Sequence, residues 1–441
     1  MIPIAPSLDA VQRLGMNRIN RLIAALFALV LAAPALADTV YVRAGHLIEP
    51  ATGEVLDDRL IRIDDGRISS VTAWTPPPTD ATVIDWSAYW VLPGLIDCHV
   101  HLADVLQSND PAEPLLHSPE ETAYIGARNA RDTLFAGFTT VHDVGSYRGT
   151  GNIELRNAIN RGDIPGPRIN AVGGYLTRPG GGGEVTGLPA GMTVPPDMRI
   201  GVVASPAEAT AKANLLLDMG ADSIKLIVTG AVLTEGTEPG QIELPGPQIA
   251  ASVAAAKARG SWVTAHAHGA EGIKLAIHSG VRGIEHASLI DDEGIALAKA
   301  RGTYLVMDIY NGDFIAEVGR RDRWPASVLR KNDETTEQQR QGFTKAVDAG
   351  VMVAFGTDAG VFPHGLNGRQ FKYMVRYGMT PMQAVQSATT VAAEFLGWGK
   401  DVGSLTPGHW GDMIAVGGNP LEDITELERV QRVMKGGVVI R

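Results

Sequence analysis

Short apolar runs rich in β-formers recur through the middle of the chain, at Val91–Ile96, Thr139–Val144, Arg168–Val172, Ser223–Val228, Trp262–Ala265, Gly283–Glu285, Thr303–Met307 and Met352–Phe355. Between them lie stretches with helical spacing at Glu120–Ala136, Pro206–Met219, Gly246–Arg259, Gly269–His278, Asp291–Ala300 and Glu334–Ala349. Near-continuous apolar character marks strands covered on both faces, as in a parallel sheet wrapped by helices. Eight such runs alternating with helices predict an α/β fold, a (β/α)8 TIM barrel over residues 91–403. The ends read differently. Thr39–Val42, Leu60–Ile63 and Ser69–Val71, with Asp412–Val416, Val430–Met434 and Val438–Ile440, are short β-rich segments bounded by Gly and Asp. They predict a small β-sandwich domain formed from both chain termini, over 38–90 and 404–441.

Residues 1–37 follow another rule. From Met16 the chain carries Arg18 and Arg21, an apolar run from Leu22 to Ala33, and then Ala35-Leu36-Ala37. A basic segment, a short apolar core and a small-x-small site predict a secretory signal cleaved after Ala37, with Met16 as the expected start. Twelve apolar residues are too few to span a bilayer, so the expectation is export to the periplasm or medium without a stable membrane anchor.

Composition adds three points. Fifty-one glycines and 26 prolines suit a fold with many strand-to-helix turns. A formal charge of −11, with no basic stripe, removes the electrostatic footprint of a nucleic-acid partner. The single cysteine, Cys98, leaves no intramolecular disulfide to form.

The candidate chemistry sits at the ends of the runs. His99 and His101 follow the first run in VLPGLIDCHVH, and residues i and i+2 of an extended segment point the same way. His266 ends the fifth run, His286 ends the sixth, and Asp358 follows the eighth. In a barrel of this kind those positions share the catalytic rim. Lys225 lies inside the fourth run among apolar neighbours. An ammonium there, facing two dications, would be poorly solvated and repelled. It is therefore expected either neutral or converted by CO2 to an anionic carbamate.

The motifs PGLIDCHVH, TTVHDVG, IKLIVTG, VTAHAHG, GIEHAS and FGTDAG together resemble the binuclear metal branch of the amidohydrolase superfamily. The resemblance implies that His99, His101 and Asp358 hold one metal and His266 and His286 the other, with carboxylated Lys225 bridging two Zn2+ ions. It implies that Asp358 is also the catalytic proton acceptor for a metal-bridging hydroxide. Within the superfamily the chain is similar to Xaa-Pro and Xaa-Arg/Lys dipeptidases and ochratoxin-degrading amidohydrolases. That implies cleavage of the amide before a C-terminal amino acid, in dipeptides, N-acyl amino acids or ochratoxin A. His142, Tyr310 and His364 are the expected substrate-binding residues, and His268 a further one at the mouth. The glycines 180–183, without the Lys-Ser/Thr of a phosphate loop, are read as a mobile rim. A homo-oligomer is the expected assembly. Lactonase or phosphotriesterase chemistry, or deamination, are the alternatives on the same scaffold.

Overall fold

The computed structural model describes residues 39–441 apart from 105–109 and 111, so the predicted signal lies outside the described residues. Four strands open the fold: β1 (Thr39–Glu49), β2 (Glu54–Asp64), β3 (Arg67–Ala73) and β4 (Thr82–Pro93). β1 and β2 pair antiparallel, with Thr39 opposite Asp64, and β1 lies parallel to β4. The β2–β3 turn uses Asp65 and Gly66 at φ 49° and 77°. Positive φ at two successive turn residues suits the Asp-Gly pair there and matches the twist of a hairpin.

Eight parallel strands follow: β5 (Leu95–Val100), β6 (Phe138–Asp143), β7 (Arg168–Ala171), β8 (Ile224–Ile227), β9 (Val263–Gly269), β10 (Gly283–Leu289), β11 (Tyr304–Val306) and β12 (Val353–Ala354). β6 to β12 each overlap one of the later seven apolar runs, whereas the first, Val91–Ile96, ends β4 and only begins β5. β5–β7 form one sheet and β8–β12 another. Main-chain bonds tie the sheets at both edges. On one side Leu176 donates to Lys225 O at 2.9 Å, and on the other Cys98 donates to Phe355 O and Asp358 to His99 O, both at 2.8 Å. Residues of β5, β6, β8 and β9 are buried throughout, because side chains fill the space inside the strands and helices cover the outside.

The helices start and stop where their ends can be satisfied. Pro119–Phe135 opens on a capping box between Ser118 and Glu121. Asp292–Arg301 opens on Asp291 and closes on left-handed Gly302. The helix expected at Glu334–Ala349 begins earlier, at Ala326, and Gly151–Arg161 and Asn311–Asp322 are helical as well. No helix among the described residues is long and apolar enough to cross a membrane.

β13 (Met413–Val416), β14 (Arg432–Lys435) and β15 (Val438–Val439) complete the first sheet, in the order β15-β14-β13-β4-β1-β2-β3. Both termini therefore build it, but as one seven-stranded sheet and not the expected two-sheet sandwich. The sheet curls so that its two ends meet: Gly411 N donates to Gly66 O, and Gly437 N to Gly411 O. A separate apolar cluster including Val42, Ile61, Ile63, Trp86, Met413 and Met434 fills the curl. Asp412 fastens this sheet to the parallel strands, accepting from Arg168 Nε at 2.8 Å and Nη2 at 3.1 Å.

Candidate metal centre

His99 and His101 lie at the C-terminal end of β5 and Asp358 follows β12, while Lys225, His266 and His286 lie within β8, β9 and β10. Close backbone approach is what lets them converge. A Cβ on Gly356 would lie 2.2 Å from Val306 Cγ1 and 3.1 Å from His99 Cβ, so only glycine lets the chain after β12 pass over His99. Asp97 then locks the two strand ends together. Its carboxylate accepts from Thr357 Oγ1 at 2.6 Å, from Asn367 Nδ2 at 2.8 Å and from the amides of His99 and Thr357 at 3.1 Å. His286, Ala287 and Asp358 have φ of 67°, 49° and 60°. Left-handed backbone at non-glycine residues costs roughly 1–3 kcal/mol each and gathers at functional sites.

The result is a buried cluster in a cleft lined by His99, His101, Lys225, His266, His268, His286, Asp308 and Asp358, among others. Asp358 Oδ1 lies 3.3 Å from Nε2 of both His99 and His101. Three overlapping sets have ligand atoms within 4.8 Å of one another: His99, His101 and Asp358; His266, His268 and His286; His286, Asp308 and Asp358. The far ring nitrogens are used for orientation. His101 Nδ1 lies 2.8 Å from Gly145 O, His286 Nδ1 3.0 Å from Asp308 Oδ1, and His268 Nδ1 2.8 Å from Ser288 Oγ. His99 Nδ1 is 2.8 Å from Glu285 Oε2, and neither atom has another hydrogen-bond partner among the described residues. Fixing one ring nitrogen leaves the other free toward the cleft.

Electrostatics favour a cation in this space. Burial, with neighbouring imidazoles, pushes His266 and His268 well below the ordinary histidine range, so both rings are neutral and keep a lone pair. Burial works against the Asp358 carboxylate, but His99 and His101 outweigh it and hold Asp358 well below its usual range. Burial and Lys225 press His99 down, yet Glu285 and Asp358 lift it to about 9. Burial lowers Lys225. The neutral His266 and His268 imidazoles, with the Asp308 and Asp358 carboxylates, form a donor set that fits divalent metals.

Lys225 faces the cleft, as do the other five expected ligands. Of the expected substrate-binding residues, His268 lines it and His142, Tyr310 and His364 do not. His142 is fully buried; its Nε2 lies 3.1 Å from Ser223 Oγ and its ring packs on Trp262 and Phe395. Burial pushes it down to about 3, so it supplies no cation for a carboxylate. The strand stagger explains the difference, because the end of β6 stands level with Ser223 and Trp262, which precede β8 and β9. Tyr310 hydroxyl accepts from Arg369, and His364 bridges Thr133 Oγ1 and His101 O; neither reaches the cleft. The glycine rim is pinned and not loose: Gly180 N and Gly182 N donate to buried Glu184 and Glu243 at 2.6 and 2.7 Å. Residues that sequence reasoning passed over also converge here. Asp308, directly after the seventh run, had the same strand-end signal as Asp358. Asn311 opens the helix Asn311–Asp322, Tyr147 and Tyr175 come from loops, and none of the three carried such a signal.

A sequence model of the amidohydrolase family matches residues 90–440. The chain belongs to the amidohydrolase family. The ochratoxinase of Aspergillus niger is 30% identical over 442 residues, covering 94% of this chain and 89% of that one. A solved Xaa-Pro dipeptidase with methionine in its active site has a TM-score of 0.86 at 39% identity, covering 91% of this amidohydrolase and 100% of that chain. A prolidase complexed with N-methylphosphonate-L-proline gives 0.85 at 28% identity, covering 91% and 99%. Membership implies a TIM-barrel fold with an extra domain and makes this amidohydrolase a hydrolase of amide bonds. The family typically uses divalent metals, in keeping with the His and Asp groups described above.

Proposed function

We propose that the chain is a binuclear, zinc-dependent peptidase that cleaves the amide before a C-terminal amino acid, with Asp358 as its proton carrier. The observation that carries this is Asp358 Oδ1 lying 3.3 Å from the Nε2 atoms of both His99 and His101, inside a cleft shared with Lys225, His266 and His286. His99, His101 and Asp358 would hold one ion and His266 and His286 the other, with Lys225 between them as a carbamate. Bound there, the ions would supply an ionised water near neutral pH and polarise the scissile carbonyl.

The chain's own residues do the rest. Asn311 Nδ2 donates to Asp358 Oδ2 at 3.0 Å and to Asp308 Oδ2 at 3.1 Å, which turns Asp358 Oδ1 toward His99 and His101. Asp358, ionised by its histidine neighbours, takes the proton of the attacking water at Oδ1 and passes it to the leaving amine. Because the Asn311 amide group must face two carboxylates, its Oδ1 points away from them and has no partner. Asn311 lines the cleft. The relatives named for dipeptides, proline derivatives and ochratoxin support this choice of substrate class. We read the two parallel sheets as the halves of one barrel, with residues 38–90 and 404–441 forming the added domain. Export, signal removal after Ala37 and homo-oligomerisation belong to the same reading. Mass spectrometry of exported protein should find Asp38 first, and light scattering reads the assembly.

The test is a panel of dipeptides, N-acyl amino acids and ochratoxin A against zinc-loaded protein, with lactones, phosphotriesters and aminopurines as controls. Amide cleavage releasing a free amino acid is the expected result. Turnover confined to the controls would replace the proposal with one of the alternative chemistries.

A further inference from the structure

One wall of the cleft is neither ligand cluster nor main core. Ile315, Trp324, Val328 and Val361 form a small apolar cluster of their own, with half-buried Val232 and Leu233 packed on it. Four of these, Val232, Leu233, Ile315 and Val361, line the cleft that holds the candidate ligands. Val232 and Leu233 lie on the loop that follows β8, so no regular element fixes them. The loop is held from behind by Lys331, on the helix Ala326–Ala349. Lys331 is 1% exposed, and its Nζ donates to Ala231 O at 2.9 Å, Thr234 O at 2.7 Å and Thr237 O at 3.2 Å. An ammonium has three protons, and here each meets a main-chain carbonyl of the same loop. Thr237 Oγ1 closes the loop on itself, accepting from Ala231 N at 3.1 Å, and Arg330 pairs with Glu238 at 2.7 Å. Thr234 Oγ1 donates to Gly182 O at 2.9 Å, which joins the wall to the glycine rim.

We propose that Val232, Leu233, Ile315 and Val361 form the subsite for an aliphatic or aromatic side chain flanking the cleaved bond, and that Lys331 is the positioning residue that holds this wall. An apolar wall facing a compact polar centre is how small-molecule sites divide binding from chemistry. Burying a lysine against neutral carbonyls costs desolvation, and the shape of the loop is what those three bonds secure. The proposal rests on the amide-hydrolase reading for the kind of substrate, and its test is separable from that reading.

Calorimetric titration of zinc-loaded protein with N-methanesulfonyl amino acids reads the subsite by binding alone, since sulfonamides resist hydrolysis. One series varies the amino acid through glycine, leucine, phenylalanine and aspartate. A second keeps glycine and enlarges the sulfonyl alkyl group from methyl to isobutyl. A single methylene in an apolar pocket discriminates on the order of 10–200-fold. At least about 10-fold tighter binding of the apolar member is therefore expected in one series, with the aspartate derivative no tighter than glycine. Leu233→Asn should bring that ratio to within about 3-fold. Lys331→Met should lower the same ratio and speed amide exchange across 229–242, whereas a purely structural lysine would lower thermal stability and leave the ratio intact. Should Lys331→Met fail to fold, Thr237→Val removes the loop's internal bonds and is read in the same way. Flat affinity in both series, no binding at all, or an unchanged ratio in Leu233→Asn would overturn the proposal. A protein that shows the binding preference yet cleaves no amide would instead overturn the proposed activity.

Discussion

Replacing Glu285 by Gln removes one negative charge from the fully buried floor beneath the ligand cluster. Glu285 Oε2 lies 2.8 Å from His99 Nδ1, and Oε1 accepts from Thr264 Oγ1 at 2.6 Å. Burial would raise this carboxyl, but Lys225 and His99 hold it at about 2 against an ordinary 4.5. That interval corresponds to about 3 kcal/mol in favour of the ionised over the protonated carboxyl in the folded chain, net of burial. A depressed folded value means the contribution is present above about 4.5 and is lost as pH falls toward 2. Glutamine keeps the shape and loses this charge, so the metal-free variant should unfold about 3 kcal/mol more easily at pH 7. The difference from wild type should shrink on acidification. Because Glu285 also orients the ring of His99, metal retention should weaken about 10–100-fold, equivalent to about 1.4–2.7 kcal/mol. Urea unfolding at several pH values reads the first effect, and chelator competition followed by elemental analysis reads the second. Wild-type metal retention together with pH-independent stability loss would show that Glu285 is only a space-filling buried group.

Four further outcomes follow from the same geometry. Asp358→Asn should keep the circular dichroism of the parent and lose about 10²–10⁴-fold in kcat; near-normal turnover in metal-replete variant would exclude it as proton carrier. Protein equilibrated with 13C-bicarbonate should show a carbamate carbonyl resonance that Lys225→Ala lacks, and no such signal would leave the neutral amine. His142, held near 3 by burial against an ordinary 6.5, takes up protons on unfolding, so stability falls as pH drops from about 6.5 to 3. His142→Asn should flatten that limb in urea titrations, and an unaltered slope would refute the assignment. Asp412→Asn should cost about 2–3 kcal/mol in urea unfolding by weakening the Arg168 fork, and a loss below about 0.5 would show the junction is held elsewhere.

Much of this was legible in the sequence because parallel strands buried on both faces leave a continuous apolar trace. Polar residues at the ends of such strands stand out, which is how His99, His101, His266, His286 and Asp358 could be picked. The method stops at chemistry that depends on level within the stagger. His142 ends its run as His286 does, yet its ring meets residues that precede later strands. Asp308 carries the same strand-end signal as Asp358 but lies in none of the quoted motifs. The pinning of the glycine rim by Glu184 and Glu243 depends on loop contacts distant in sequence, which no local pattern encodes. The curl of the terminal sheet, likewise, follows from contacts between Gly66, Gly411 and Gly437, far apart along the chain.

β4 lies between β1 and β13 and runs through Gly94 into β5. During synthesis, all eight parallel strands and the last candidate ligand emerge before β13 does. Until then one side of β4 offers unpaired amides and carbonyls, which invite pairing with a neighbouring chain. A molecule cut short before Met413 would thus carry its whole metal-binding equipment and still be prone to clump. The final strands act as a clasp fastened after everything else is in place.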